Sequence, residues 1–227
     1  MKRYVLCSLC LTTIFSAARA QEKEINNYLL HAGARAVLYA GKEETTYAHI
    51  HQHPYLDTEH YREGTLYFAK RTYPQQPMRV NVYTDELVVL APEFHAGIAL
   101  PSERVDSVVF SSYTLIYNDG KETALPSPGY YARLYNGKYS VWKRQTKLIE
   151  RMTNGMNIEQ TFTTRTRFYI HKDGQYHSVG SKNSLLKLFA GKKKELKLFF
   201  RRQQLNFRQE AHEAIVRTVM YYESLNP

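Results

Sequence analysis

Cysteine is almost missing from this chain. Two occur in 227 residues, and both, Cys7 and Cys10, fall within the first ten. The rest of the sequence therefore excludes a disulfide framework and a thiol nucleophile. Long apolar runs are lacking too. Tyr4 to Phe15 is uncharged and mostly apolar, but at about a dozen residues it is short of the roughly 20 that span a bilayer as a helix. No later segment is apolar enough to cross. Phosphate-cradling loops are absent, because Gly41-Lys42 and Gly191-Lys192 have no upstream glycine in P-loop register. There is no G-x-S-x-G elbow and no H-E-x-x-H; after His212-Glu213, position 216 is Val. No spacing singles out a carboxylate pair for glycoside cleavage. Nothing in the motifs indicates an enzyme. An arginine-rich or aromatic nucleic-acid signature is missing as well, so nucleic acid is not an expected partner.

What is present begins with an export pattern. Met1-Lys2-Arg3 is a short cationic start, the apolar run comes next, and Ala18-Arg19-Ala20 offers small residues for a signal peptidase. Residues 1–20 read as a signal peptide cleaved after Ala20. Leu6 and Leu9 precede the two cysteines where lipid attachment wants a small residue, so the expected product is not a lipoprotein. The expected location is the periplasm or the outer-membrane periphery. Lys2, Arg3 and Arg19 contribute three of the formal +10, leaving +7 on the 207 residues after the leader. That excess favours anionic headgroups, acidic glycans or an acidic protein surface. The same length buries a core without covalent staples.

Turn chemistry organises the chain after the leader. Tyr113 to Tyr117 runs into Asn118-Asp119-Gly120, with a return expected from Lys121. Tyr130 to Tyr135 runs into Asn136-Gly137 and returns through Lys138 to Trp142. Arg167 to His171 runs into Lys172-Asp173-Gly174 and returns through Gln175 to Val179. Asn-Gly and Asp-Gly accept the positive φ of two-residue hairpins, and the flanks are rich in β-forming residues. Upstream, Gly64 to Ala69, Met78 to Tyr83, Glu86 to Leu90, His95 to Leu100 and Val105 to Phe110 read as strands, punctuated by Pro74, Pro77, Pro92 and Pro101. Strands at such regular intervals predict an antiparallel meander. Pro126-Ser127-Pro128-Gly129 reads as a joint between two β sections.

The period changes near residue 181. Ser184 is a candidate cap for a helix carrying Leu185, Leu188 and Phe189, which Gly191 interrupts. Leu196, Phe199 and Phe200 continue the apolar face. Asn206 is a candidate cap for a last helix with Ala211, Ala214, Ile215, Thr218, Val219 and Tyr222 on one stripe. The expected fold is α+β: an antiparallel β-meander body at 21–180, an open sheet or partial barrel, with two or three helices of segment 181–227 packed on it.

Two constellations carry chemistry. If residues 47–53 form a strand, His49, His51 and His53 share a face about 6.8 Å apart at each step. Such a face can hold zinc or copper, with Asp57, Glu59 or His60 completing the shell. The basic run Lys182 to Arg202 offers Lys192, Lys193, Lys194, Arg201 and Arg202 to an anionic membrane surface, or else is a solvated helix face. The 19 tyrosines fit a sheet with one partly wet face. Tyr or Trp142 beside two carboxylates would instead make a carbohydrate cleft, for an enzyme or a binder.

Several phrases in order resemble a family of uncharacterised exported proteins of Gram-negative envelopes. They include Gly41-Lys42-Glu43, His53-Pro54-Tyr55, Gly64-Thr65-Leu66-Tyr67 and Met78 to Tyr83 with Asp85 to Leu90. Gly129-Tyr130-Tyr131, Leu134 to Lys138, Ser181 to Leu186, Lys193 to Leu196, Leu205 to Arg208 and Tyr221-Tyr222 complete the series. The resemblance covers nearly the whole chain after the leader and consists of turns, strands and caps. It implies a shared fold and a setting near TonB-dependent transport systems. Together with the missing catalytic signatures it leads to an expected role as a non-catalytic envelope interaction protein with a protein partner.

Overall fold

The structure is a computed structural model that describes residues 33, 35–93, 95–121, 125–154 and 157–225. The leader at 1–20 lies outside the described residues. The chain divides into two units, Met1–Gly41 and Lys42–Pro227. In the first, residues 35–38 are helical, and Tyr39 N donates to Arg35 O at 2.9 Å.

The second unit is α+β. Its strands are β1 (Lys42–Glu43), β2 (Arg62–Phe68), β3 (Arg71–Asn81), β4 (Glu86–Ala91), β5 (Ala96–Leu100), β6 (Val105–Val109), β7 (Thr114–Asn118), β8 (Gly129–Asn136), β9 (Ser140–Asn154), β10 (Asn157–Lys172) and β11 (Gln175–Ser178). They form one open antiparallel sheet in the order β1-β5-β4-β3-β2-β6-β7-β8-β9-β10-β11. The helices are α1 (Lys182–Leu188), α2 (Lys193–Arg202) and α3 (Ala211–Ser224), with a 3-10 turn at Ala190–Lys192 where Gly191 breaks the first stripe.

The strand pattern matches the turn chemistry, with informative exceptions. Asp173 and Gly174, at φ 52° and 77°, close the β10–β11 hairpin between Lys172 and Gln175. The return from Asn118 does not begin at Lys121; the partner strand starts at Gly129, paired to Asn118. The segment 126–129 therefore closes a long hairpin loop inside one sheet and is no joint between β sections. Pro74 and Pro77 lie within β3 instead of ending it. There β3 pairs with β2, and pairing to β4 starts only at Met78, so the missing N–H groups break no ladder on that side. Segment 143–166, to which the turn chemistry assigns no strand, is the middle of the long β9–β10 ladder, in register from Ser140↔His171 to Asn154↔Asn157.

The sheet buries apolar side chains in its first half through Leu66, Met78, Leu87, Val88, Val89 and Val108. The helices dock on its second half. Val141, Phe168 and Ile170 meet Leu185, Leu186, Phe189, Leu196, Phe200, Ile215 and Val219 in one cluster. Alternation sends Trp142 and Tyr169 to the opposite face, against Tyr131 and Leu125. Ser181, not Ser184, caps α1; Ser184 sits at the third helical position and completes a reciprocal capping box. Asn206 caps no helix either. Its side chain accepts from the N–H groups of Arg208 and Gln209, and α3 starts only at Ala211. The tyrosines are used inside as well as on the wet face: Tyr55, Tyr73, Tyr113, Tyr130, Tyr131 and Tyr169 are all buried. Glu223 ties α3 to the β8–β9 hairpin, accepting from Tyr135 OH and Tyr139 N, each at 2.7 Å.

Candidate functional site

The segment from Glu44 to Tyr61 bridges to β3 and β10 and carries the histidines. It is stitched by backbone: His51 N donates to Gln160 O at 2.9 Å, Leu56 N to Val80 O at 2.8 Å and Val82 N to Pro54 O at 2.9 Å. Lys147 N reaches Val82 O at 3.2 Å, so the end of β3 meets the middle of β9. Residues 47–53 do not form the strand that a shared histidine face requires. A turn closes from Tyr47 to Ile50, and Gln52 takes φ 64°, which breaks the alternation. His49 lies in the turn, His51 makes an isolated bridge to Thr161, and His53 lines a recess that neither of them enters.

That recess has two adjoining parts of about 480 and 550 Å³. His53, Glu59 and His60 line both, with Tyr47, Tyr55 and Arg79 in the first and Asp57 in the second. Thus the sequence-predicted accessory groups Asp57, Glu59 and His60 gather around His53 alone. Their lone pairs are partly committed. His53 Nδ1 accepts from Tyr55 N at 3.2 Å, and Asp57 takes Lys143 Nζ at 2.9 Å and Tyr113 OH at 3.0 Å. Among the described residues, no group of three or more His, Cys, Asp or Glu is placed to hold a metal ion.

Buried charge underlies the recess. Arg79 lies between the rings of Tyr55 and Tyr61, at 3.9 and 4.2 Å from their centroids, and pairs with Glu44 at 2.5 Å. Lys147, 6% exposed, donates to the His53 backbone carbonyl, with Nδ1 of the His53 ring 3.3 Å away. Burial lowers the pKa of Lys147, partly offset by the Asp57 charge. At Asp57, burial alone would raise the pKa. The Lys143 charge and the hydrogen bonds from Lys143 and Tyr113 outweigh it and leave the carboxyl lowered. Trp142 is buried, with Nε1 donating to Ser140 Oγ at 2.7 Å, so it offers no sugar-stacking plate.

Half-buried His53 is expected to give the fold an acid limit, with a smaller part from His212, which is exposed. Burial, then the nearby Lys147, lowers the pKa of His53, which also faces Glu59 and Arg79. Burial, then Lys143, lowers that of His212, which also faces Asp57 and Glu213. A base whose folded pKa is depressed binds fewer protons folded than unfolded. Its contribution is complete above the ordinary value of 6.5 and is lost as pH falls below it. Tm should therefore drop as pH falls below about 6.5, and a His53→Gln/His212→Gln variant should flatten that slope. An unchanged slope in the variant would assign the acid limit elsewhere.

The basic residues of the tail divide. Lys193, Lys194, Arg201 and Arg202 are exposed, and Lys192 faces Glu195 at 3.9 Å across one turn. Among the described residues, no helix is long and apolar enough to cross a membrane.

The β9–β10 hairpin carries the most exposed apolar surface. Leu148, Met152 and Ile158 are 38%, 56% and 71% exposed. Leu148 and Met152 share one face by alternation, and Ile158, opposite Thr153, lies on the other. Beyond the pairing of β8 with β9, which ends at Lys143, and the bond from Lys147 N to Val82 O, this part of the hairpin has no strand on the β9 side among the described residues. Sequence reasoning missed it, although Asn154-Gly155 is a hairpin dipeptide of the same kind as the others. No protein family, curated protein or solved structure matches the chain.

Proposed function

We propose that this chain is a non-catalytic interaction protein of the Gram-negative envelope, exported to the periplasm or the outer-membrane periphery. Its partner is another envelope protein, in a setting beside a TonB-dependent transport system. The observation that carries the reading is the outer half of the β9–β10 hairpin. Three large apolar side chains, Leu148, Met152 and Ile158, stand in water there, on a ribbon whose β9 edge, among the described residues, is unpaired beyond Lys147. Exposed apolar surface next to an unpaired strand edge is an aggregation liability unless a partner covers it. Strand addition supplies both the missing backbone hydrogen bonds and pockets for alternate side chains. The export half of the reading rests on the order of cationic, apolar and small residues at 1–20.

Chemical crosslinking in intact envelopes tests it. The wild-type chain and a Leu198→Lys control, altered at an exposed apolar site on α2, should capture the same envelope protein. Met152→Lys/Ile158→Lys should lose it while keeping the wild-type Tm. Recovery of the chain alone, or undiminished capture by the double variant, would overturn the reading.

A further inference from the structure

A second feature stands apart from the hairpin. Two recesses in the helical segment adjoin and share Gly180, Phe207 and Arg208. The larger, about 1070 Å³, lies between α1, α2 and the turns after α2. The smaller, about 390 Å³, extends to β10 and the end of β11. Lys182, Lys197, Arg201 and Arg208 line the first and Arg167 the second, and no Asp or Glu lines either. The floor is apolar: Leu186, Phe200, Leu205 and Phe207. Lys182 Nζ lies 4.5 Å from the Phe200 ring centroid, which holds that charge over the floor.

All five cations are exposed. Arg79, Lys143, Arg144 and Arg217 each face a carboxylate, whereas none of the five groove cations has a carboxylate partner among the described residues. Five like charges gathered around one concavity repel one another, and an anion seated there relieves that repulsion. Only Lys182 and Arg208 come from the neighbourhood of helix starts, and α1 is too short to supply a dipole site, so side-chain charge sets the preference.

The shape narrows the ligand. The charges come from α1, α2, the turn after α2 and β10, spread along two joined recesses instead of converging on one point. A single phosphate wants convergent donors. A bilayer presents a plane and would reach the rim but leave the apolar floor empty. An extended chain with alternating acidic and apolar side chains meets both rim and floor. We infer that the groove binds an acidic peptide segment of a partner protein, with carboxylates on Arg201, Arg208 and Lys197 and apolar side chains on the half-buried Leu205 and Phe207. This site does not rest on the hairpin reading, and either can fail without the other.

Fluorescence anisotropy with the full chain provides the test. The probe is a labelled peptide of alternating glutamate and phenylalanine; the control peptide has glutamine for glutamate. The acidic peptide should bind, more weakly as salt is raised, and the glutamine peptide should not. Arg201→Gln/Arg208→Gln should weaken binding by about tenfold or more. Lys193→Gln/Arg202→Gln removes the same net charge at exposed positions outside the groove and should change it by less than about twofold. Equal binding of both peptides, no binding of either, or equal losses in the two variants would overturn the inference. So would tight binding to phosphatidylglycerol vesicles without peptide binding, which would make the basic surface a membrane contact.

Discussion

Asp85→Asn should lower the unfolding free energy by about 3 kcal/mol, the cost of leaving a buried charge without its partner. Arg144 is 5% exposed and pairs with Asp85 at 2.6 Å. Its other hydrogen bonds go to carbonyls, Gln145 O at 3.0 Å, Pro128 O at 3.3 Å and Tyr130 O at 3.4 Å, and its guanidinium lies 5.5 Å from the Tyr131 ring centroid. Carbonyl dipoles share the guanidinium's protons but do not cancel its charge. Asp85 takes φ 57° in the turn between β3 and β4, a conformation that Asn tolerates, so the substitution isolates the charge. The pair clamps that turn to the start of β8 and the middle of β9, far apart in sheet order. Gly129 shows how closely it is fitted. At φ 122°, a Cβ there would overlap the Arg144 guanidinium and stand 2.8 Å from Asp85 Oδ2. Urea unfolding of Asp85→Asn should show a lower midpoint at an unchanged slope, and Arg144→Met added to it should restore part of the loss. A loss below about 1 kcal/mol would mean that water already compensates the pair.

Phe200→Ala should cost about 3–5 kcal/mol, as expected for emptying a large aromatic site that cannot collapse. Phe200 is 1% exposed and belongs to the cluster that joins α1, α2 and α3 to Val141, Phe168 and Ile170 of the sheet. Because that cluster is shared, the helices and the second half of the sheet should melt together. Circular dichroism at helix wavelengths and tyrosine fluorescence should give one coincident transition in wild type and variant. An early helix-only transition would show that the tail folds as a separate unit and that Phe200 serves only α2.

Local chemistry decided the elements that are legible in the sequence. Asp173-Gly174 closes its hairpin because a tight turn is a property of the dipeptide itself, whereas Asn136 pairs with Ser140 and residues 137–139 form the loop there, with no positive φ at Asn136 or Gly137. The α3 stripe of Ala214, Ile215, Thr218 and Val219 is buried as its period requires. The middle of the long β9–β10 ladder shows in the sequence only through its Asn154-Gly155 dipeptide, because Lys143, Arg144 and Lys147 stand at buried positions and break the apolar pattern of a strand. Those charges are tolerated only through Asp57, Asp85 and the His53 carbonyl, which lie 59 to 94 positions away.

The candidate sites divide in the same way. The histidine spacing is a sequence fact, yet the positive φ at Gln52 separates His49 and His51 from His53, and the fold brings His60 and Glu59 there instead. The basic groove needs Arg167 from β10 and Arg208 from beyond α2, and no short window of sequence contains both. The amino-acid order thus sufficed for the α+β class, the meander, the cysteine-free body and the helical tail, because turn dihedrals and apolar periods act over a few residues. Sheet order, the ion pairs that bury charge, the exposed hairpin and the groove came from tertiary structure alone, because a buried charge or a cavity wall is defined by whichever distant segment arrives to meet it.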